Sequence, residues 1–243
     1  MSQQETEGHK GTILVVEDDF DIRTLISMTL KRNGFDVVAV ESGEEGLERA
    51  KTLQPLVMTL DLMLPGMNGL EVCTHLRANP ETEDVYVIMV TALGDDEDKI
   101  TGLKTGADDY MVKPFQPDEL VLRVESAARR MKRFRKDDTE MDKDIFALSG
   151  LRLDANQHRV WIEDEEIKMT ITEYKLLTHL LRKQDQLCSR GELLEKVWEL
   201  PPNLNTRTVD THIKRLRQKM KHLAPFIQTV RGAGYRFSQG EES

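Results

Sequence analysis

The segment TILVVEDD, residues 12–19, begins with five residues suited to a buried strand and ends in three carboxylates. Continuous Val-, Ile- and Met-rich runs of this kind indicate strands that are buried on both faces, which is typical of a parallel sheet. Four similar runs follow, each separated from the next by an amphipathic stretch: FDVVAV (35–40), PLVMTL (55–60), VYVIMV (85–90) and the short YMV (110–112). Five strands that alternate with about five helices predict a doubly wound α/β domain.

Helix signals set the limits of this first domain. Ser42 and Glu45 form a capping-box pattern before GLERAK. Pro117, with acidic residues behind it, suits the first turn of a last helix. The domain is therefore predicted over residues 11–131, and the charged segment 132–143 is predicted to continue the last helix and then form an exposed linker.

The pattern changes after residue 144. Short alternating segments predict a small antiparallel sheet made of LRLD (151–154), RVWI (159–162) and IKMT (167–170). Three helices follow: one opens at the capping-box pattern Thr170/Glu173, one at Ser189/Glu192, and one runs from about Thr206 to Lys221. The segment IQTVRGAGYRF (227–237) predicts a hairpin. The second domain is therefore predicted as an α+β domain over 144–239.

Composition excludes several classes of protein. The chain has 243 residues, which suits two modest domains. Its apolar runs are far shorter than the ~20 residues of a membrane-spanning helix, and its first ten residues lack the apolar core of a secretory signal. Cys73 and Cys188 show no metal-ligand spacing and fit small buried hydrophobes in a reducing compartment. We therefore expect a cytoplasmic protein with no membrane partner.

The charge is distributed unevenly along the chain. The formal net charge is -9, but residues 1–131 carry 25 acids and 13 bases, while residues 132–243 carry 18 acids and 21 bases. Residues 205–238 contain eight basic residues and only one acidic residue. An acidic half joined to a concentrated basic tail predicts that the second half binds nucleic acid.

Several chemistry-bearing residues follow the predicted strands of the first domain. Glu17 and Asp18 follow the first strand, Asp61 the third, Thr91 the fourth and Lys113 the fifth. In an open α/β sheet ligands bind at the carboxyl ends of the strands. Carboxylates meeting there need a cation, and hard oxygen ligands suit Mg²⁺. One carboxylate could then act as a nucleophile towards a phosphoryl group.

A simpler interpretation is that each of these acids only starts a loop or caps a helix. For a single residue that interpretation is the better one, and we apply it to Asp19 and Asp21. The same interpretation does not account for four residues that each stand at the matching end of a strand: Asp18, Asp61, Thr91 and Lys113.

These motifs resemble the receiver domain of two-component response regulators, which has a CheY-like doubly wound five-stranded parallel sheet. They are EDD (17–19), LDLMLPGMNG (60–69), VTA (90–92), GADDY (106–110) and KPF (113–115). The resemblance implies that Asp61 accepts a phosphoryl group from a histidine kinase, with Lys113 and Thr91 assisting. It also implies switch residues (Thr91 and Tyr110), a cis bond after Lys113, and Mg²⁺ ligands: Glu17, Asp18, Asp61 and the Met63 carbonyl.

A charged set resembles the dimer interface of OmpR/PhoB-type receivers. The resemblance implies three pairs across a two-fold axis in a homodimer that forms on phosphorylation: Lys99 with Glu119, Asp109 with Arg123, and Asp108 with Arg130. The alternative is a solvated helix face with pairs within one helix, such as Glu119 with Arg123.

The second domain resembles the winged helix-turn-helix output domain of the same subfamily, through TITEYKLL (170–177), RTVDTHIKRLRQK (207–219) and TVRGAGYRF (229–237). Val209, Ile213 and Leu216 form an apolar stripe on the third helix, so the remaining residues are predicted to project towards the major groove of double-stranded promoter DNA. The predicted DNA contacts are Arg207, Thr211, His212, Lys214, Arg215 and Arg217 on the helix, with Thr229, Arg231 and Tyr235 on the hairpin.

The resemblance predicts a transcription regulator that catalyses only its own phosphorylation and dephosphorylation. The family's contact with RNA polymerase maps to loop 199–205, where Glu199 and two prolines depart from the pattern, so that contact stays open. One alternative is a phosphatase with an aspartate nucleophile, which needs an acid at position 63, where Met63 stands. Another is a regulator that binds DNA independently of phosphorylation and carries a pseudo-receiver.

Overall fold

The computed structural model describes residues 10–92, 106–136, 146–148, 150–154 and 158–238. The chain divides into two compact units, Met1–Lys132 and Arg133–Ser243. Within the described residues, no helix is both long and apolar enough to cross a membrane.

The first unit contains a five-stranded parallel sheet in the order β2-β1-β3-β4-β5. Its strands are β1 (Thr12–Val16), β2 (Asp36–Val40), β3 (Val57–Leu60), β4 (Tyr86–Thr91) and β5 (Asp109–Val112). Each of the five predicted strands is present, within two residues of its predicted limits.

Burial follows position in the sheet. The central strands β3 and β4 are buried throughout, and β1 is buried after its first residue. The prediction that all five strands are buried on both faces is wrong for β2 and β5, because they form the two edges of the sheet. Each edge strand therefore has an exposed residue at one end, Asp36 in β2 and Val112 in β5.

Four helices of the first unit are described: α1 (Phe20–Arg32), α2 (Gly43–Leu53), α3 (Gly69–Ala78) and α4 (Pro117–Lys136). Asp19 accepts a hydrogen bond from the Ile22 N–H at 2.9 Å and so caps α1, the modest role predicted for it. Ser42 caps α2, and Pro117 begins α4 as predicted. The helix predicted between β4 and β5 falls on residues 93–105, which lie outside the described part of the chain.

The second unit contains two antiparallel sheets. One has the order β6-β7-β8-β9 and the other β10-β12-β11. The strands are β6 (Phe146–Leu148), β7 (Leu151–Asp154), β8 (Arg159–Ile162), β9 (Glu165–Glu166), β10 (Cys188–Ser189), β11 (Ile227–Val230) and β12 (Gly234–Phe237). The predicted strand at 167–170 is wrong: pairing with β8 ends at Glu165–Glu166, apart from one hydrogen bond from the Ile167 N–H.

The helices of the second unit are α5 (Ile171–Arg182), α6 (Arg190–Leu193) and α7 (Thr208–Lys219). A π-helical turn (Leu194–Trp198) continues α6, and a 3₁₀ helix (Lys221–Phe226) follows α7. The predicted capping box of α5 is present, since Thr170 and Glu173 each accept a hydrogen bond from the other's backbone N–H. Trp198 is fully buried in this unit.

The predicted hairpin is formed by β11 and β12 in antiparallel register. Gly232 lies in the turn with φ of +75°, in the left-handed region that favours glycine. The hairpin tip also carries Arg231, whose side chain is exposed.

Candidate functional site

The predicted pocket residues meet at one edge of the parallel sheet. Backbone hydrogen bonds continue just beyond the strands: the Asp61 N–H donates to the Val16 carbonyl at 2.9 Å, and the Lys113 N–H donates to the Thr91 carbonyl at 2.8 Å. The sheet therefore fixes where each functional side chain begins.

Lys113 joins two of the carboxylates. Its Nζ lies 2.6 Å from Asp61 Oδ2 and 2.7 Å from each oxygen of Glu17, although only Glu17 Oε1 is aligned to accept a hydrogen bond. The side chains of Glu17 and Asp61 are only 2% and 7% exposed. At such burial these contacts are screened far less than a surface ion pair.

Burial and charge shift the protonation equilibria in the pocket. Burial raises the pKa of Glu17 to about 7; the hydrogen bond from Lys113 opposes this, and the neighbouring charge of Asp61 adds to it. Burial by itself would lower the pKa of Lys113, but hydrogen bonds to Asp61 and Glu17 outweigh it and raise that pKa. Lys113 is therefore a fixed positive charge beside Asp61.

The acids fit a hard divalent cation. Carboxylate oxygens of Glu17, Asp18 and Asp61 all lie within 4.8 Å of one another. Asp18 is exposed, and the second Glu17 oxygen accepts no hydrogen bond within the described chain, so ligand oxygens remain for an ion. Receiver domains generally bind Mg²⁺ at such an acidic pocket, and this oxygen set is the kind that Mg²⁺ prefers.

Two residues that the sequence interpretation missed hold the pocket in shape. Arg23 donates hydrogen bonds to the backbone carbonyls of Glu17 (2.7 Å) and Asp18 (2.9 Å) and so fixes the acidic loop. A Cβ at Gly69 would lie 2.2 Å from the Asp61 carbonyl oxygen, so α3 can start this close to Asp61 only with glycine. Met63 has an exposed side chain, and its N–H donates to Asp61 Oδ1 at 3.1 Å.

The predicted switch residues lie on neighbouring strands: Thr91 ends β4, and Tyr110 is the second residue of β5, opposite Met89. Thr91 is 5% exposed at the end of β4, and Tyr110 is half-buried against the core cluster beneath β4. The Lys113–Pro114 peptide bond is cis, which confirms what the resemblance implied.

Four of the predicted dimer residues are buried within the chain. Asp109 and Arg123 are 1% and 2% exposed, and they pair with each other inside one chain at 2.6 Å. Arg123 also bonds Glu119 on its own helix at 2.7 Å, the pair named by the alternative interpretation. Each of these two residues therefore finds a counter-charge within the chain, and the pairing of Asp109 with Arg123 across a dimer interface stays a prediction.

Asp108 and Arg130 are also buried, each 3% exposed. Asp108 Oδ2 accepts a hydrogen bond from Arg77 at 2.7 Å, and Arg130 lies over the Tyr86 ring at 4.6 Å from the centroid. The predicted pairing of Asp108 with Arg130 between two chains also stays a prediction. The remaining member, Lys99, lies outside the described residues.

The outer face of α7 is narrower than predicted. Arg207 and Lys214 are exposed, and Thr211 and Arg217 are partly exposed. Gln218, which the sequence interpretation did not name, is also exposed one turn after Lys214. These positions form one stripe along the helix, as their spacing of three and four residues requires.

Two residues predicted to project from α7 are buried instead. His212 is 0% exposed, its Nδ1–H donates to the Thr208 carbonyl at 2.9 Å, and its ring packs edge-on against Trp198. Arg215 is 3% exposed and contributes to lowering the pKa of the buried Glu173. Their predicted projection away from the domain is wrong, because the buried arc of α7 is wider than the apolar stripe alone suggests.

Two of the three predicted DNA contacts on the hairpin have exposed side chains. Arg231 and Thr229 are exposed, and Thr229 Oγ1 accepts a hydrogen bond from Arg217 at 2.8 Å. Tyr235 is only 5% exposed, and its hydroxyl bonds Asp210 on α7. Tyr235 therefore ties β12 to α7, and its role as a DNA backbone contact stays a prediction.

Comparison with known proteins agrees with both units. Residues 13–125 match the response regulator receiver domain, and residues 164–237 match the transcriptional regulatory protein C-terminal domain. The chain belongs to the OmpR/PhoB-type two-component response regulators.

The similar proteins cover nearly the whole chain. The phosphate regulon regulatory protein PhoB of Escherichia coli K12 is 40% identical over 231 residues, which span 93% of this chain and 97% of PhoB. The transcriptional regulatory protein SrrA of Staphylococcus aureus NCTC 8325 is 39% identical over 230 residues, which span 93% and 94%. A solved structure of a RitR mutant has a TM-score of 0.71 at 26% identity and covers 95% of this chain and 100% of its own.

The chain is therefore a response regulator with a receiver domain and a DNA-binding domain, and it regulates transcription in dependence on phosphorylation. This pair of domains implies a histidine kinase as partner and promoter DNA as target.

Proposed function

We propose that Asp61 is the phosphoryl acceptor and that a histidine kinase is the donor. The observation that supports this most directly is the Lys113 ammonium, 2.6 Å from Asp61 Oδ2 in a pocket with two further acids. A buried carboxylate held beside a fixed cation is placed to react with an incoming anionic phosphoryl group, because the cation offsets the repulsion between them.

The transfer is a substitution at phosphorus. An Asp61 oxygen forms the new O–P bond as the N–P bond of the kinase phosphohistidine breaks, and the imidazole leaves. Lys113 stays within reach of the transferred oxygens, and the hydroxyl of Thr91, at the end of the strand next to β3, would donate a hydrogen bond to one of them. A Mg²⁺ ion held by Glu17, Asp18, Asp61 and the Met63 carbonyl would neutralise the remaining negative charge.

Phosphorylation then shifts the conformational population of the face formed by β5 and α4. Thr91 and Tyr110 are the switch residues in this proposal. Thr91 is the last residue of β4, and Tyr110 lies on the neighbouring strand β5. Two receivers would pair by exchanging the buried Asp109–Arg123 contact for the same contact between chains. The phosphoryl group would supply the free energy for this exchange by binding the pairing-competent conformation of the receiver more favourably than the other one.

Dimerisation raises the affinity for adjacent DNA half-sites through effective concentration. α7 would enter the major groove with Arg207, Thr211, Lys214 and Arg217, while Arg231 at the hairpin tip would reach the minor groove. Loop 199–205 is the candidate contact for RNA polymerase. We also place the protein in the cytoplasm, where Cys73 and Cys188, both buried and neither in a disulfide, would stay reduced.

The experiment is intact-mass spectrometry of the full chain after treatment with acetyl phosphate and Mg²⁺. The wild type should gain one phosphoryl group, and Asp61→Asn should gain none. Asp19→Asn is the matched control, because Asp19 is a nearby exposed acid whose capping role asparagine can keep; it should be phosphorylated normally. Phosphorylation of Asp61→Asn would overturn the assignment, and an unmodified wild type would favour the pseudo-receiver.

A further inference from the structure

Three side chains that commonly bind metals meet in the second unit, outside the receiver pocket. They are His179 in the last turn of α5, Cys188 in β10 and Glu192 in the first turn of α6. Their ligand atoms all lie within 4.8 Å of one another, and His179 Nε2 is 3.3 Å from Glu192 Oε1. Chain spacing did not reveal this cluster, because each residue comes from a different element.

We propose that His179, Cys188 and Glu192 form a binding site for a thiophilic divalent cation, with Zn²⁺ as the best match. Zn²⁺ takes imidazole nitrogen, thiolate sulfur and carboxylate oxygen in a tetrahedral arrangement, and three protein ligands leave one position for water. The softer sulfur and nitrogen donors distinguish this site from the all-oxygen pocket of the receiver, which suits Mg²⁺.

The geometry is close to what the ion requires. Two ligands at about 2.0–2.1 Å from a tetrahedral zinc lie about 3.3 Å apart, which matches the separation of the His179 and Glu192 atoms. The cysteine is fully buried, and its thiol makes no hydrogen bond to any residue that the structure describes. The sulfur is therefore held in the cluster without another polar partner.

The scaffold fixes all three ligands. Cys188 pairs with Tyr235 in the β10–β12 ladder, and the Glu192 N–H donates to Ser189 Oγ at 3.1 Å, which caps α6. His179 lies on α5, one turn before Lys183. An ion here would join α5, β10 and α6, so its binding should stabilise the second unit.

Lys183 competes with a metal for the carboxylate. Its Nζ lies 3.1 Å from Glu192 Oε1, and its side chain is 42% exposed. An incoming cation can displace this ammonium into water, while the Cys188 thiol passes its proton to the buffer as the metal–sulfur bond forms. Removing the lysine charge should therefore tighten metal binding, which a role in folding alone would not produce.

The test is titration of the chelator-treated full chain with Zn²⁺, and a chromophoric chelator that competes for the ion reports its affinity. Excess Mg²⁺ is present throughout, so that the acidic pocket of the receiver is occupied. We expect one site in the wild type, affinity reduced by more than about tenfold in Cys188→Ser and His179→Gln, and tighter binding in Lys183→Met. Cys73→Ser is the matched control, since Cys73 is also a buried cysteine outside any disulfide but lies in the other unit; it should bind Zn²⁺ as the wild type does.

Co²⁺ provides a readout that folding does not mimic. Cobalt bound to Cys188 should produce a near-ultraviolet thiolate charge-transfer band, which should disappear in Cys188→Ser and persist in Cys73→Ser. Tryptophan fluorescence of Trp161 and Trp198 reports whether the second unit, which holds the proposed site, is folded in each variant. A wild type without the band, or a folded Cys188→Ser that binds Zn²⁺ as tightly as the wild type, would overturn the proposal.

Discussion

Replacing Glu173 with glutamine tests how the DNA-reading helix is held. The Glu173 carboxylate is 0% exposed, and its Oε2 accepts hydrogen bonds from the Thr170 N–H at 2.9 Å and from Lys219 Nζ at 2.6 Å. Arg215, 3% exposed on the same helix as Lys219, adds a second positive charge. Glutamine keeps the shape and the capping acceptor but removes the charge that both cations face.

The expected loss of stability follows from burial. Removing one member of a buried ion pair costs about 3–5 kcal/mol, because the other charge stays buried without its partner. Lys219 is 33% exposed and can regain water, which reduces its share, whereas Arg215 cannot. We therefore expect a loss of about 2–4 kcal/mol in the unfolding free energy of the second unit. At a urea dependence of about 1.5 kcal/mol per M, the midpoint falls by about 2 M.

The assay is urea unfolding of the full chain followed by tryptophan fluorescence. Both tryptophans, Trp161 and Trp198, belong to the second unit, so the signal excludes the receiver. The control is Glu165→Gln: Glu165 is exposed and pairs with the exposed Lys221, so its midpoint should not move. A Glu173→Gln midpoint equal to that of the wild type would refute the reasoning.

The contribution of Glu173 to the unfolding free energy of the second unit also depends on pH. Burial by itself would raise the pKa of this carboxyl, but the charges of Lys219 and Arg215 outweigh burial and lower it from 4.5. A lowered pKa in the folded state stabilises above the ordinary pKa, and the contribution is lost as pH falls through the folded value. The stability difference between the wild type and Glu173→Gln should therefore be constant near neutral pH and shrink below about pH 4.5.

Three further substitutions separate the roles of Arg123, Arg231 and His212. Arg123→Met leaves Asp109 buried without this counter-charge, so circular dichroism should show the receiver transition destabilised by about 3–5 kcal/mol; an unchanged transition would contradict the buried pair. Arg231→Ala should lower the affinity for DNA and reduce its salt dependence by about one charge, measured by fluorescence anisotropy at several salt concentrations. His212→Ala should instead destabilise the second unit, because its ring packs on Trp198; a stable variant with the salt dependence of Arg231→Ala would contradict this assignment.

The sheet of the receiver was predictable because its strands carry a local signal. A continuous apolar run such as VYVIMV specifies a buried strand without reference to the rest of the chain. The edge position of β2 was not predictable from FDVVAV, whose composition resembles that of a central strand. Strand composition reports what can be buried, whereas the order of strands depends on the connections between them.

The pocket was largely predictable from the position of residues after the strands. Parallel strands bring their carboxyl ends to one edge, so Asp61 and Lys113 had to lie close together. Arg23 and Gly69 were missed, because one acts on backbone carbonyls and the other acts by lacking a side chain. Neither contribution appears in a pattern of functional side chains.

The DNA-facing surface was predicted less accurately. His212 adjoins the apolar stripe of α7 at helical spacing and belongs to its buried arc. Arg215 is buried because α5 contributes Glu173, a counter-charge 42 residues earlier in the chain. The same reason applies to Asp109 and Arg123, which come from different elements. The sequence of either element does not reveal that its charged residue is buried against the other.

The most direct test of the account is the affinity of the full chain for a DNA duplex selected from a random library, with and without a phosphodonor. Phosphorylation should tighten binding of the wild type by about tenfold or more through dimerisation, and it should leave Asp61→Asn unchanged. Equal affinity of the wild type in the two conditions, or equal tightening in Asp61→Asn, would contradict control of DNA binding through Asp61.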